Sequence, residues 1–199
     1  MGERDPNPVW MTEPGRSIFY PKVGHCVFRK LTQDLSSPDK KFLELEDLEE
    51  GSRILVPMDR AGELRLRPAG AALDEINQVL SGEFETPDEG SERHGLIEAL
   101  VAEGSPSSLA KALKRLHFRR QNSGLNREEE QVRRKIRSWL AAEVALSRSC
   151  TRAEAQALLT RTLQDAMAAH REKEKQEALE RRRAAKAEKE REAAAGRSA

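Results

Sequence analysis

Basic side chains recur along two segments whose apolar residues have helical spacing. Leu109, Leu113 and Leu116 line the inner face of the first segment, so its cations should project outward. An exposed row of lysine and arginine can contact phosphates and displace counterions, which gives salt-sensitive, sequence-independent affinity for DNA. The second segment also carries three glutamates, residues 128–130, so a solvated face of mixed charge is the alternative. The cations are Lys111, Lys114, Arg115, Arg119 and Arg120 in the first segment and Arg127, Arg133, Arg134, Lys135 and Arg137 in the second.

The sequence carries no recognisable catalytic arrangement. It lacks the GxSxG, HExxH, Walker-type and GxGxxG motifs. Adjacent carboxylates such as Glu49 and Glu50 point in different directions, unlike a working acid/base pair. The histidines lie in separate segments without ligand spacing, so we expect each at the surface or at a rim: His25, His94, His117 and His170. We therefore predict that the protein is not an enzyme and needs no cofactor and no metal.

Charge, aromatic and cysteine content limit the class of protein. Charged residues make up 35% of the 199 positions, yet the formal net charge is +1, so any attraction to nucleic acid must come from local patches. An aromatic fraction of 4% argues against a large aromatic-lined catalytic cavity. Cys26 and Cys150 show no metal-ligand spacing, and no apolar run approaches the roughly 20 residues that span a bilayer. We expect a protein of the reducing cytoplasm with no membrane segment.

The hydrophobic pattern changes once, between Gly51 and Leu80, which predicts two units. Before this stretch apolar residues alternate as in short strands, and from Leu73 they recur three and four residues apart as in a helix. Five short strands would form a small, strongly bent antiparallel sheet or partial barrel, whose exposed edges suit pairing with another protein's sheet. The predicted strands are SIFY, HCVFRKL, KKFLELE, RILV and LRL.

The second unit carries helix-capping signals at its boundaries. Glycines end helices, and serine, threonine or asparagine begin them. Well-capped helices joined by short loops predict a compact bundle. Trp139 lies in the inward stripe of the third bundle helix, so we expect it in the core. The boundary signals are Gly82, Gly104, Ser105 with Pro106, Asn126 with Glu129, and Thr151 with Glu154.

The two ends of the chain differ from both units. Residues 1–16 hold three prolines and no apolar periodicity, which predicts a disordered arm. Trp10 in this arm is docked on the nearby domain or exposed, and binding of a partner is the alternative. Residues 171–199 interleave both charge signs, which predicts a charged helical or disordered tail. Its run Arg181 to Arg183 is a candidate for nucleic-acid contact, but the flanking glutamates favour a solvated face.

Several short strings occur in a recognisable order between Ser17 and Gln164. IFYPKVGHCVF contains a Tyr-Pro-x-x-Gly turn, RILVPMDRAGELRLRP a Val-Pro strand and a Leu-Arg strand, and LDEINQVL a helix that leads out of the module. SERHGLIEALVAEGSPSSLAKALKRLHFRR, LNREEE and AAEVALS continue the series. Together they resemble the CarD/CdnL family of bacterial transcription regulators. The N-terminal module of that family is similar to the polymerase-interacting domain of transcription-repair coupling factor.

The resemblance implies an α+β fold and an accessory transcription factor. A Tudor-like module, residues 17–68, would bind the RNA polymerase β subunit. A connecting helix and linker, residues 69–91, would lead to a helical domain, residues 92–170, that contacts promoter DNA without sequence specificity. Such a protein is a cytoplasmic, nucleoid-associated monomer that stabilises the open complex by binding it more tightly than the closed one. The alternative is a protein-interaction adaptor that uses the β module without DNA.

Three departures from the family pattern mark a divergent member. Gly90 stands where the family has a tryptophan that wedges into the minor groove, and Glu92 replaces one arginine of the pair that often follows it. The arginines through which the family contacts polymerase align with Asp34 and Leu55, although Arg53 lies on the same strand face as Leu55 and could substitute. The implied polymerase-binding residues are Arg53, Leu55 and Asp34, and the implied DNA-binding residues are Arg93, Arg119, Arg120 and Arg134.

Overall fold

The computed structural model of the chain describes residues 13–34, 37–70, 73–84 and 92–195. Within them a five-stranded antiparallel sheet is followed by five α-helices, which confirms the α+β prediction. The strands are β1 (Ser17–Tyr20), β2 (Gly24–Asp34), β3 (Ser37–Asp47), β4 (Arg53–Pro57) and β5 (Arg67–Pro68). The helices are α1 (Leu73–Ser81), α2 (Glu92–Glu103), α3 (Pro106–Asn122), α4 (Arg127–Arg148) and α5 (Arg152–Ala195).

The sheet has the order β4-β3-β2-β1-β5 and encloses its own small core. The long β2–β3 pairing contains register shifts, one of them between Phe28 and Lys30, and such irregularities bend a strand and increase its twist. The bend lets one face of a small sheet cover an apolar interior. The buried residues of this core are Ile18, Tyr20, Cys26, Phe28, Leu43, Leu45, Val56, Ala61 and Leu66.

The predicted strand at Leu64–Leu66 is wrong. A short 3-10 helix, Met58–Arg60, follows β4, and the chain then turns with Arg65 in the left-handed region at φ 56°. Leu66 is buried in the module core, and its N–H donates to the carbonyl of Ala61 at 3.2 Å. The pairing with β1 therefore begins one residue later, at Arg67.

The predicted capping signals are confirmed at α3 and α4. Ser105 Oγ accepts a hydrogen bond from the N–H of Ser108 at 3.0 Å. Asn126 and Glu129 form a reciprocal capping box, with N···O distances of 2.8 and 3.0 Å. α5 is one helix of 44 residues, so the charged tail is helical as far as Ala195. None of the helices in the described ranges is long and apolar enough to cross a membrane.

The bundle core contains a residue from the sheet. Phe19 of β1 is buried among helical residues, and its ring meets Trp139 of α4 edge-on at a centroid distance of 5.3 Å. Trp139 is 1% exposed, which confirms its assignment to the core. A Cβ built on Gly24 would lie 2.3 Å from Trp139 Nε1, so the turn before β2 packs directly against the indole. Phe19 therefore links the sheet to the bundle core, while the sheet keeps the separate small core described above.

A buried ionic cluster joins the sheet to α4. Glu143 accepts a hydrogen bond from the N–H of Gly70 at 2.5 Å, and its Oε1 lies 2.7 Å from Arg67 Nη1 and 3.3 Å from His25 Nε2. Burial alone would raise the pKa of Glu143, but the interactions with His25, Arg67 and Gly70 together hold it below its ordinary value. Because removing one partner of a buried ionic cluster leaves the others uncompensated, this cluster fixes the orientation of the sheet on the bundle.

A second polar contact ties the turn before β4 to the helices. Glu49 Oε1 accepts hydrogen bonds from Ser138 of α4 at 2.7 Å and from Arg152 of α5 at 2.5 Å. Burial acts against ionisation of Glu49, yet these two donors keep its pKa below the ordinary value. The end of β3 and the start of β4 are thus held at a fixed position relative to α4 and α5.

Candidate functional site

β4 is a terminal strand of the sheet and carries an exposed face. Among the described residues it pairs with β3 alone, so one row of its backbone N–H and C=O groups has no strand partner. The Arg53 side chain is 77% exposed and Leu55 is 57% exposed. Because alternate residues of a strand point to the same face, the two side chains lie side by side. An unpaired edge with an adjacent cation and leucine is suited to adding a strand from a partner protein.

Charged residues on the neighbouring strands surround this edge. Glu44 pairs with Leu55 in the β3–β4 register, and its carboxylate lies 3.5 Å from Arg53 and 3.6 Å from Lys30 of β2. Arg29 donates to Glu46 at 2.7 Å, and this hydrogen bond is the main reason that the pKa of Glu46 is lowered. The pair between Arg29 and Glu46 is largely exposed and so contributes little to stability, whereas Glu44 is buried beneath the side chains that it pairs with.

The structure does not bring Asp34 to the same place. Asp34 ends β2 and pairs with Ser37 at the far end of β3, whereas Leu55 pairs with Glu44, seven residues further along that strand. The Asp34 side chain itself lies outside the described part of the chain. Arg53 and Leu55 therefore form the candidate protein-binding site on geometry, and Asp34 is remote from it.

The predicted DNA-binding arginines differ in their surroundings. Arg119 of α3 is ion-paired with Glu129 of α4, and Arg134 lies 3.3 Å from Glu130 with 75% of its side chain exposed. Arg120 is exposed, and no ion pair is found for it in the part of the chain that the structure describes. Arg93 lies in the first turn of α2, but its side chain is outside the described residues.

Five arginines and one glutamate gather at one end of the bundle. Arg133 donates two hydrogen bonds to Glu130, at 2.9 and 2.7 Å, and the pKa of Glu130 is lowered to about 2, mainly by this contact. Arg137 donates to Thr160 of α5 at 2.8 Å. The pKa of the buried His117 is lowered first by its burial and then by nearby arginines from three helices. The bundle-end cluster consists of Arg120, Arg133, Arg134, Arg137, Arg171 and Glu130.

Sequence reasoning recognised this cluster only in part. The spacing of Arg133 and Arg137 was a usable signal, because residues four apart share a helix face. Arg171 was assigned to the tail, although it acts on the same histidine as the arginines of α3 and α4. Arginines thus outnumber carboxylates at this end of the bundle, and phosphate groups are anions that arginine suits well.

Two cations that we expected to project outward are buried. Lys114 donates to the carbonyls of Val79 at 2.8 Å and Gly82 at 2.7 Å, so it caps the C-terminal end of α1. Arg133 is buried against Glu130. Neither is available to a phosphate in this arrangement, because the carbonyls and the carboxylate occupy their donors.

The expectation that every histidine lies at the surface or a rim is wrong for two of them. His25 is 3% exposed and His117 is 8% exposed. The His25 ring packs edge-on against Phe19 at 5.2 Å where the sheet meets the bundle, a contact that spacing along the chain does not reveal. His170 packs against Phe118 at 5.4 Å, and the side chain of His94 lies outside the described residues. Gly90 and Trp10 also fall outside the described ranges.

One family comparison bears on this arrangement. Residues 75–160 match the model of the CarD C-terminal domain. The match begins within α1 and ends within α5, so it covers α2, α3, α4 and most of the bundle core. A CarD C-terminal domain indicates a CarD-like, transcription-related function and, in general terms, an interaction with RNA polymerase. Residues 75–160 therefore correspond to a CarD C-terminal domain, which supports the predicted resemblance to the CarD/CdnL family.

Proposed function

We propose that this chain is a transcription regulator that binds the RNA polymerase β subunit through the β4 edge and contacts promoter DNA through its helical bundle, thereby modulating open-complex stability. The match of residues 75–160 to the CarD C-terminal domain is the observation that carries the proposal. The exposed β4 edge and the bundle-end cluster supply two surfaces of the required kind. The Phe19 contact and the Glu143 ion pairs hold the sheet against the bundle, which supports one protein that bridges two partners.

The polymerase side of the proposal rests on β4. Addition of a strand uses the unpaired backbone of the edge, which gives affinity, and side chains that flank it, which give specificity. Arg53 and Leu55 are the exposed side chains on this strand, and they combine a guanidinium with an apolar anchor. Arginine is enriched among residues that dominate the energy of protein interfaces, so Arg53 is the residue to change first.

The test measures binding of the full-length chain to the isolated polymerase β lobe. Arg53→Glu should weaken binding about tenfold or more, equivalent to about 1.4 kcal/mol, without lowering the temperature of unfolding. Arg60→Glu is the matched control, because Arg60 is also exposed and ion-paired but lies in the 3-10 helix beyond β4. No binding of the wild type at micromolar concentration would remove the polymerase part of the proposal.

The DNA side rests on phosphate contacts from Arg93, Arg119, Arg120 and Arg134. Each contact that is lost should reduce the slope of log affinity against log salt by up to about one unit. Arg120→Gln and Arg134→Gln test the exposed members on duplex DNA. Arg148→Gln is the control, because Arg148 is exposed at the other end of α4 from the bundle-end cluster. Equal slopes in all three variants and the wild type would argue against this surface.

An adaptor that binds polymerase without DNA is the second candidate function. The ion pairs Arg119–Glu129 and Arg134–Glu130 favour it, because they already neutralise two of the proposed phosphate ligands. Binding to the β lobe with no measurable affinity for duplex DNA at low salt would select the adaptor function. Salt-dependent DNA binding that Arg120→Gln weakens would select the regulator.

A further inference from the structure

α5 continues far beyond the bundle, and its second half is exposed. Among the side chains of α5 that the structure describes, Met167 is the last buried one, and those from Arg171 to Lys186 are all exposed to solvent. The match to the CarD C-terminal domain ends at residue 160. The exposed half of α5 is therefore an addition to the matched domain, with its own arrangement of charge.

Positive charge on this half is concentrated on one side of the helix. At 3.6 residues per turn, Lys175 and Arg182 lie within about 40° of Arg171 around the helix axis, and Lys186 within about 60°. Ala178 falls between them on the same side. Glu177 and Glu180 lie on the opposite side, about 180–240° from Arg171, and Glu174 and Glu172 flank the cations at about 60° on one side and about 100° on the other. Arg171, Lys175, Arg182 and Lys186 are called the α5 stripe below.

The α5 stripe begins where the bundle-end cluster ends. Arg171 belongs to both, since it acts on His117 together with Arg120, Arg133 and Arg137. From Arg171 to Lys186 the stripe runs about 22 Å at 1.5 Å per residue, roughly two thirds of the length of one turn of B-DNA. A row of cations on a straight helix matches the regular negative charge of a duplex backbone.

Other partners fit this half of the helix less well. Leu179 is the one large apolar residue between Arg171 and Lys186, so the segment lacks the apolar face that an interfacial membrane helix needs. For the same reason it lacks the apolar seam of a coiled coil. Lys175 of the stripe lies 3.7 Å from Glu172, and on another face Arg181 lies 3.8 Å from Glu177. Both pairs are exposed to solvent, so each contributes little to stability and can exchange for a contact with a phosphate.

We propose that the α5 stripe is a second DNA-binding surface, which contacts the phosphodiester backbone of duplex DNA beyond the segment held by the bundle-end cluster. The proposal rests on the proposed function, because the bundle must bring DNA to the start of the stripe. The contact is independent of sequence, because side chains that reach only phosphates carry no base information. The stripe lengthens the path of bound DNA and adds salt-dependent affinity.

The test is a fluorescence titration of the full-length chain with a duplex of about 30 base pairs at several salt concentrations. Lys175→Gln/Arg182→Gln removes one lysine and one arginine from the stripe. Lys173→Gln/Arg181→Gln removes the same two residue types from other faces of the same helix, where they pair with Glu83 and Glu177. The stripe variant should flatten the slope of log affinity against log salt by up to about two units, and the control should keep the wild-type slope.

Two further measurements make each outcome decisive. Lys175→Arg/Arg182→Lys keeps both charges and should keep the wild-type slope, and circular dichroism checks that every variant stays helical. Equal flattening in the stripe and control variants, or none in the stripe variant, overturns the inference. Flattening by Arg120→Gln without any by the stripe variant overturns it while the proposed function stands. Loss of β-lobe binding in the stripe variant would assign the stripe to a protein partner instead.

Discussion

A substitution at Gly104 tests the packing of the sheet against the bundle. It lies between α2 and α3 with φ +69°, and a Cβ added there would be 2.4 Å from Pro21 Cγ and 3.3 Å from Phe19 Cε1. Gly51 has nearly the same backbone angle, φ +68°, but a Cβ there would meet open space. Alanine at either position therefore has a similar backbone cost. The difference in stability between the two variants then measures the contact of the new methyl group with Pro21 and Phe19.

The expected magnitudes follow from this geometry. The left-handed conformation costs alanine about 1–2 kcal/mol, which is the whole effect expected for Gly51→Ala. At Gly104 the new methyl group also meets the rigid ring of Pro21, and overpacking of this kind costs about 1–3 kcal/mol. The free energy of unfolding should thus fall by about 1–2 kcal/mol in Gly51→Ala and by about 2–5 kcal/mol in Gly104→Ala.

Urea unfolding followed by circular dichroism measures both values. The slope of free energy against urea must stay at the wild-type value in each variant, because only then does the change in midpoint report stability alone. Equal losses of stability in the two variants would contradict the packing of the sheet against the bundle, since they would show that Pro21 does not lie against Gly104. A Gly104→Ala transition that splits in two would show instead that the sheet and the bundle unfold separately.

Three more predictions address the core, the ionic cluster and the missing wedge. Trp139→Ala should lower the free energy of unfolding by about 3–5 kcal/mol in urea titrations, because it leaves a large cavity; a stable variant that lost only DNA affinity would contradict the core assignment. Glu143 has a pKa below its ordinary 4.5, so its stabilising effect is complete above that value and is lost as the pH falls through the lower folded-state pKa. The unfolding free energy of the wild type should therefore fall more steeply than that of Glu143→Gln between about pH 5 and pH 3. With Gly90 in place of the wedge, the wild type should discriminate little between duplex and bubble DNA in binding titrations, and Gly90→Trp should gain a preference for the bubble; a strong preference in the wild type would mean that another residue acts as the wedge.

Local signals in the sequence were sufficient for most of the secondary structure. Ser105 with Pro106 and Asn126 with Glu129 mark helix starts through contacts within three residues, so a short stretch of sequence contains the whole motif. Alternation along β4 likewise placed Arg53 and Leu55 on one exposed face. The wrong prediction of a strand at Leu64–Leu66 shows where such local signals are insufficient. The burial of Leu66 depends on the core of the β module rather than on its neighbours in the chain.

Contacts between distant segments could not be predicted in this way. Phe19 alternates as a strand residue should, but nothing near it in the sequence shows that its ring packs in the bundle core. Lys114 looked like one more outward cation on α3, whereas the carbonyls it binds belong to the end of α1, more than thirty residues earlier. The bundle-end cluster likewise needs three helices to meet before its arginines become neighbours.

The packing of the sheet against the bundle affects how the two proposed surfaces would act together. Because the whole chain has a net charge of only +1 and Arg119 and Arg134 are ion-paired, we expect the bundle to bind DNA only weakly when it acts alone. Attachment of the β4 edge to polymerase would hold the bundle near promoter DNA and convert a second binding event into an intramolecular one. The resulting gain in affinity depends on geometry. A rigid connection between sheet and bundle raises the affinity only if it lets both surfaces reach their partners at the same time. Glu143 of α4, buried against Arg67 of β5, is therefore as relevant to the proposed function as the arginines that would touch DNA, although it would contact neither partner.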